Sequence, residues 1–394
     1  MSEAAPGARD GLGVWCGWVL TAAAVLTPIL AWLGPLGFAA LVALVGLLCL
    51  PAIRLTQRDL PLAIVLVLAA VWAGASTLWS PYRPEDLEGL TALKIALQVP
   101  LYWSAWCAAR RLTRDYRRRV LRIFAWGLGV LGVVMLVEAF TGAGVYQFLR
   151  DVTGDPIRPD LARKNIANGS FVLALLWPVA LVGGMRAGAP VWLALPMAAG
   201  TALLATHFLS DAPTLAVGLA IVTAGLVLVW PKSAPKAFGV GAALMIVAMP
   251  LVVLLIRMLG LGQHLPESWA QRVGYWTFAL DRIAEKPFTG WGLDSSRAFS
   301  PAIQLHPHNG PMQLWLELGL LGAFAAALAW VFVFRRMARD ERSLVAAGAA
   351  GTAAVYLFFG TISFGVWQEW WLALGALAAL IAALGDAEEG AGRA

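Results

Sequence analysis

Stretches of about 20 apolar residues, the length that carries a helix across a bilayer, follow one another from Trp15 almost to Gly385. That feature narrows the fold more than any other. Inside lipid every backbone amide and carbonyl must find its partner within the protein, which leaves only helices or closed barrels. The runs here do not alternate apolar with polar residues, so helices are the solution. Composition agrees: 60% of the residues are hydrophobic, 13% are charged and the mean hydropathy is +0.74, far from what a water-facing globular surface carries. The first run, Trp15 to Leu33, is followed almost at once by a second from Pro35. It reads as a first span rather than a cleaved leader.

The pattern predicts an all-α polytopic inner-membrane protein, one integral membrane domain over residues 1–394 with about twelve spans. They fall near 14–33, 35–53, 60–79, 89–109, 120–140, 165–184, 190–208, 213–230, 237–258, 310–334, 343–363 and 366–384. Basic residues sort by loop. Those after even-numbered spans hold Arg54 and Arg58; Arg110, Arg111, Arg114, Arg117, Arg118, Arg119 and Arg122; Arg186; Lys232 and Lys236; and Arg335, Arg336, Arg339 and Arg342. With Arg9 and Arg393 at the termini, that is well over half of the 29 basic residues. Lysine and arginine mark the cytoplasmic side, so both termini are expected there. The net charge of +6 is then an orientation signal, and nucleic acid is not an expected partner. Membrane lipids are.

The intervening loops face the periplasm in this reading, and two are long, about 141–164 and about 259–309. Loops beyond roughly 12–15 residues are uncommon unless they are functional or disordered, and both contain apolar and aromatic residues. The larger loop is expected to carry the active site.

Within it, Trp269, Val273, Trp276, Leu280 and Ile283 recur at helical spacing, with Gln271, Asp281, Arg282 and Glu285 on the other face. This predicts an interfacial helix over Glu267 to Lys286. Arg272 stands at the border of its apolar face and points toward the bilayer or the bundle; either a lipid phosphate or an acid could be its partner. Next comes a glycine-bearing turn region from Pro287 to Arg297, then His306-Pro-His308-Asn309 ahead of an apolar run. Asn309 is a natural N-cap, and Pro311 is compatible with the first turn. A helix N-terminus at the membrane surface offers free N–H groups to a phosphate. Gln313 and Glu317 share a face of this helix, and an acid at that depth is either paired, with an arginine as the obvious partner, or acts on a substrate. Arg163 and Lys164, beside Asn165 and Asn168, offer a second anion contact or serve as interfacial anchors. Cys16, Cys49 and Cys107 lie in apolar runs without CxxC spacing, and no ligand set for a metal or other cofactor is visible.

From about Arg272 to Phe324 the chain resembles the O-antigen ligase and polymerase superfamily, membrane glycosyltransferases of the GT-C type. Members show R-x-x-x-W, then P-x-x-G-W/V-G, then H-P-H-N with L-Q-x-x-x-E-x-G-x-x-G. The counterparts here are Arg272 to Trp276, Pro287 to Gly292, and His306 to Gly322. The ligase-type spacing, His-Asn, nine residues, Gly, two residues, Gly, is met by His308, Asn309, Gly319 and Gly322. The resemblance implies a donor glycan on undecaprenyl diphosphate and a lipid A–core acceptor, with His308 assisting the acceptor hydroxyl and Arg272 holding the diphosphate. It implies a metal-independent, inverting displacement, with Asn309, Gln313 and Glu317 around the substrate. A second phosphate-binding arginine of the family has no counterpart, since Ser210-Asp-Ala-Pro-Thr214 stands in its place. Arg163, with Lys164 or Arg297, is the substitute. A repeat-unit polymerase and a protein O-glycan ligase share the loop pattern, and a lipid-linked glycan flippase shares the spans.

Overall fold

A computed structural model describes residues 11–208 and 211–391. Among them are fifteen α-helices: α1 (Gly11–Leu33), α2 (Phe38–Leu48), α3 (Leu60–Ser76), α4 (Thr91–Arg111), α5 (Arg114–Thr141), α6 (Gly144–Val152), α7 (Pro159–Arg186), α8 (Ala194–His207), α9 (Ala212–Val229), α10 (Ser233–Met258), α11 (Glu267–Glu285), α12 (Ser295–Ala298), α13 (Gly310–Arg335), α14 (Leu344–Ile362) and α15 (Glu369–Ala391). Each of the twelve segments read as a span is helical. Eight of these helices are long and apolar enough to cross a membrane, while α2, α3 and α8 are shorter apolar helices. The remaining one, α4, is 21 residues long but is broken in its apolar character by Lys94 and Gln98. Pro28, Pro100, Pro178 and Pro250 sit inside spanning-length helices; the carbonyl that Pro250 frees, Ile246 O, accepts from the Trp315 indole at 3.0 Å.

Packing follows small residues, because helices in lipid gain little from hydrophobicity and much from close approach. At the α5–α8 crossing a Cβ on Gly132 would lie 2.3 Å from Pro196 O, and one on Gly200 2.3 Å from Gly132 O. α7 is the centre of the bundle, with 83% of its most apolar window buried against 28% for α10. The outside is apolar as well: Val71, Leu195, Leu215 and Leu251 are each more than 60% exposed, which suits lipid and not water.

The two ends of the bundle differ in charge. At one end Asp59 pairs with Arg110 at 3.0 Å and Arg336 at 2.5 Å, Glu388 lies among Arg114, Arg117 and Arg118, and Glu389 pairs with Arg186 at 2.6 Å. The basic loops of the sequence therefore meet and are neutralised there; Arg9 and Arg393 lie outside the described residues. The opposite end carries both long loops. The first holds α6 and the start of α7. The second holds α11, which packs on α10 and α13 with Val273, Trp276 and Ile283 buried, followed by α12.

Candidate active site

The site is organised by a break in α13. Gly319 takes φ 64° and ψ −162°, a region open essentially only to glycine, and the helix ladder stops there. The freed backbone groups are taken by the preceding loop and a neighbouring helix. Trp291 N–H donates to Leu316 O and Gly292 N–H to Glu317 O, each at 2.8 Å, and Leu320 N–H donates to Pro287 O at 2.8 Å. The Trp72 indole donates to Leu318 O at 3.0 Å. Buried backbone groups must be paired, so the segment from Pro287 to Gly292 is what allows this helix to break. A Cβ on Gly319 would lie 2.4 Å from the Phe288 carbonyl, and one on Gly290 2.5 Å from that of Glu317. The two backbones touch at these glycines.

Two residues before the break, Glu317 is fully buried, and among the described residues no arginine pairs with it. Its Oε1 receives Ser296 Oγ at 2.7 Å and Gln313 Nε2 at 3.1 Å; its Oε2 receives Asp294 N–H at 3.0 Å and the Trp367 indole at 2.6 Å. Four donors suit a carboxylate, which can accept at both oxygens. Glu317 thus ties α13 to the loop on one side and to the α14–α15 turn on the other. Gln313 also accepts from Val366 N–H at 2.9 Å, and Asn309 caps α13 by accepting from Met312 N–H at 3.0 Å.

His308 stands at the head of this helix in a left-handed backbone conformation, φ 54°, where histidine is tolerated but costs energy. Its Nδ1 lies 2.9 Å from Ser363 O. A carbonyl only accepts, so Nδ1 carries the proton and Nε2 keeps its lone pair. Burial lowers the His308 pKa, with the Arg272 charge adding to the fall and the Ser363 carbonyl opposing it. The imidazole is therefore neutral at pH 7 and basic through Nε2. His306 has the reverse arrangement. His308 N–H donates to its Nδ1 at 3.1 Å, which consumes that lone pair and leaves the proton on Nε2; the Gln368 amide end lies 3.2 Å away and accepts that proton with its oxygen turned toward the ring, since its NH₂ can only donate. Burial, then the charges of His308 and Arg297, pushes its pKa down to about 3. The two rings are 4.2 Å apart, and of the pair only His308 offers a free basic nitrogen.

Arg272 reaches the same turn from α11. It donates to Ile362 O at 2.9 Å and lies 5.1 Å from the centre of the Trp269 ring. Among the described residues no carboxylate pairs with it, and burial lowers its pKa. A half-buried cation without an anion is costly unless something supplies one. Trp276 of the same helix fixes the histidine loop by donating to Pro307 O at 2.8 Å.

His308, Arg272, Asn309, Gln313 and Glu317 thus come together, and Arg297 lies at their edge, 3.4 Å from Asp294 and over the Tyr82 ring. Arg163 and Lys164 are exposed in the second turn of α7, Arg163 beside Gly142; no described contact joins either to the histidine pair. Ser210 lies outside the described residues, and Thr214 donates to Ala202 O at 3.3 Å. Sequence reasoning missed two contributors. It assigned His306 no role in the site, whereas His306 is buried and holds the His308 backbone. It also passed over the turn from Ile362 to Gln368, which with Trp367, Trp370 and Trp371 nearby reads as an interfacial anchor and whose backbone carbonyls in fact orient both His308 and Arg272. Beside the pair opens a cleft of about 390 Å³, lined in part by His306, Gln313 and Gln368. Among the described residues no group of three or more His, Cys, Asp and Glu could hold a metal ion.

Residues 192–327, which contain Arg272, the histidine loop and the Gly319 break, match the family model described as O-antigen ligase. Curated relatives bear the name "Putative polysaccharide ligase". Those of Rickettsia conorii and Rickettsia typhi are 30% identical over 122 and 125 residues, and that of Rickettsia bellii is 33% identical over 122. Each match covers 27% of this chain and no more than 30% of the relative, so the chain spans under a third of the length of the relatives it matches. Over residues 192–327, then, a chain whose described residues hold eight helices long and apolar enough to cross a membrane is similar to the O-antigen ligase family.

Proposed function

We propose that the protein is a glycosyltransferase of the bacterial inner membrane that moves a glycan from undecaprenyl diphosphate to a lipid A–core acceptor at the periplasmic face. One observation carries the reading: a neutral histidine with a free Nε2 and a cation without a carboxylate partner are fixed to adjacent carbonyls at the end of α14. Outside the cytoplasm no nucleotide sugar is available, and a donor there must bring its own leaving group. A lipid diphosphate does. Arg272 holds its oxygens, in the ground state and as negative charge grows on departure. His308 Nε2 takes the proton from the acceptor hydroxyl as that oxygen attacks the anomeric carbon. The bond from that carbon to the diphosphate breaks in the same displacement, with inversion. Positioning and preorganised charge supply the catalysis without a metal.

The gathering of these groups at one end of the bundle supports an enzyme over a flippase, which needs charge along a path through the membrane. The experiment supplies purified protein with undecaprenyl-diphosphate glycan and rough lipopolysaccharide. Glycan joined to the core is expected. Lengthened glycan left on the carrier would instead mean a polymerase, and transfer only to a protein acceptor would mean a protein ligase.

A further inference from the structure

The cleft beside the histidine pair differs in chemistry from the pocket around Arg272. Its charges come in neutralised pairs. Asp294 faces Arg297 at 3.4 Å, and Glu369 meets Lys94 at 2.5 Å, while His306 is uncharged. Gln313, Gln368 and the tryptophans Trp367 and Trp370 add amides and aromatic surface, and Leu36, Ala39 and Leu305 make part of the wall apolar. Two carboxylates in the wall make this a poor seat for a diphosphate, and Arg297, held beside Asp294, is assigned here to the acceptor and not to the donor phosphate for which its sequence position offered it. Paired carboxylate and guanidinium groups, side-chain amides and an indole edge are what a neutral sugar ring requires, since hydroxyls both donate and accept and ring C–H faces pack on aromatic surfaces. The volume of about 390 Å³ falls within the roughly 300–1,000 Å³ of small-molecule sites, with room for a sugar ring but not for a long glycan. Glu369 and Arg297 keep side-chain exposures of 40% and 37%, so both present polar atoms to a ligand.

Position separates acceptor from donor. Arg272 does not line the cleft, and His306 stands in its wall with its ring 4.2 Å from that of His308. His308 is not itself in the wall, so a saccharide here lies next to it across the His306 ring, at a place that Arg272 does not line. Accepting the ligase reading above, we infer that this cleft is an acceptor subsite, holding a neutral sugar of the core next to the one that reacts, with Glu369 and Arg297 as its hydrogen-bonding determinants.

The test is direct binding of core oligosaccharide, released from rough lipopolysaccharide by mild acid, to purified full-length protein by titration calorimetry. It needs no turnover. Loss of one charged hydrogen bond to a sugar hydroxyl corresponds to a loss of affinity of about tenfold or more. Glu369→Ala and Arg297→Ala should each weaken oligosaccharide binding by about that factor and raise the acceptor KM in parallel, with the donor KM unchanged. Undisturbed gel-filtration profiles and donor binding in each variant exclude a folding defect. Equal binding by wild type and both variants, or no binding by wild type, overturns the subsite. A rise in donor KM with acceptor KM unchanged overturns it too, by assigning the cleft to the donor glycan. A failure of the ligase reading shows separately, as absent transfer by wild type in the presence of both substrates.

Discussion

Replacing Glu317 by glutamine removes a charge and almost no volume, so its effect isolates the four hydrogen bonds that Glu317 accepts, two of which, from Ser296 and Asp294, tie the loop to α13. The glutamine must place an NH₂ where one oxygen was. The Oε2 position is closed to it, because Asp294 N–H and the Trp367 indole are donors only. The NH₂ therefore turns toward Ser296, whose hydroxyl can rotate to accept, and Gln313, whose oxygen is already held by Val366 N–H. One bond is lost and the others lose their charge. Hydrogen bonds to charged groups contribute about 1.5–3 kcal/mol and neutral ones about 0.5–1.5, so the docked loop weakens by about 3 kcal/mol. At about 1.4 kcal/mol per decade, local opening rises about 100-fold. Amide hydrogen exchange followed by mass spectrometry reads this directly: peptides containing Trp291, Gly292 and Asp294 should exchange about 100-fold faster, while α7 is unaffected. Exchange at those amides within about threefold of wild type would refute the assignment of Glu317 as the tie.

Three further outcomes are expected. Gly319→Ala puts a Cβ 2.4 Å from the Phe288 carbonyl at a backbone geometry alanine does not adopt, and should cost at least about 3 kcal/mol; a melting temperature equal to wild type in detergent would contradict it. His306 binds a proton near 6.5 when unfolded but only near 3 when folded, so between these values the unfolded state holds more protons. Stability should then fall as the pH drops below about 6.5, by up to about 1.4 kcal/mol per unit, and His306→Gln should flatten that dependence in the pH profile of the melting temperature. Cys16, Cys49 and Cys107 are buried, which leaves introduced cysteines to report orientation: Gln304→Cys should react with an impermeant thiol reagent on intact spheroplasts and Thr113→Cys should not, whereas the reverse labelling would invert the topology and move the site to the cytoplasm.

Much of this was legible because lipid leaves a chain few options. Uninterrupted apolar runs can only be helices, and all twelve segments read that way are. The cap at Asn309, the Gln313–Glu317 pairing and the amphipathic α11 depend on residues a turn or two apart, and spacing reveals such contacts. The rest depends on contacts between distant segments. Spacing cannot disclose that Gly290 and Gly319 touch, or that the Trp291 and Gly292 amides replace part of a broken helix ladder. An arginine looked the natural partner for Glu317, but backbone, hydroxyl, amide and indole donors share it. His306 and His308 have the same chemistry in sequence; what separates them is which nitrogen meets a carbonyl and which meets an N–H.

The central claim is that His308 moves the acceptor proton while Arg272 holds the diphosphate, and single-turnover transfer with donor affinity measured on the same samples tests it most directly. His308→Ala should slow the chemical step by about 10²–10⁴, the scale of a positioned base, with donor Kd nearly unchanged. Arg272→Ala should weaken donor binding as well as slow transfer, and Arg272→Lys should rescue poorly, because a lysine cannot form a two-pronged contact with phosphate oxygens. Near-normal single turnover by His308→Ala, in protein inserted at wild-type levels, would contradict the account.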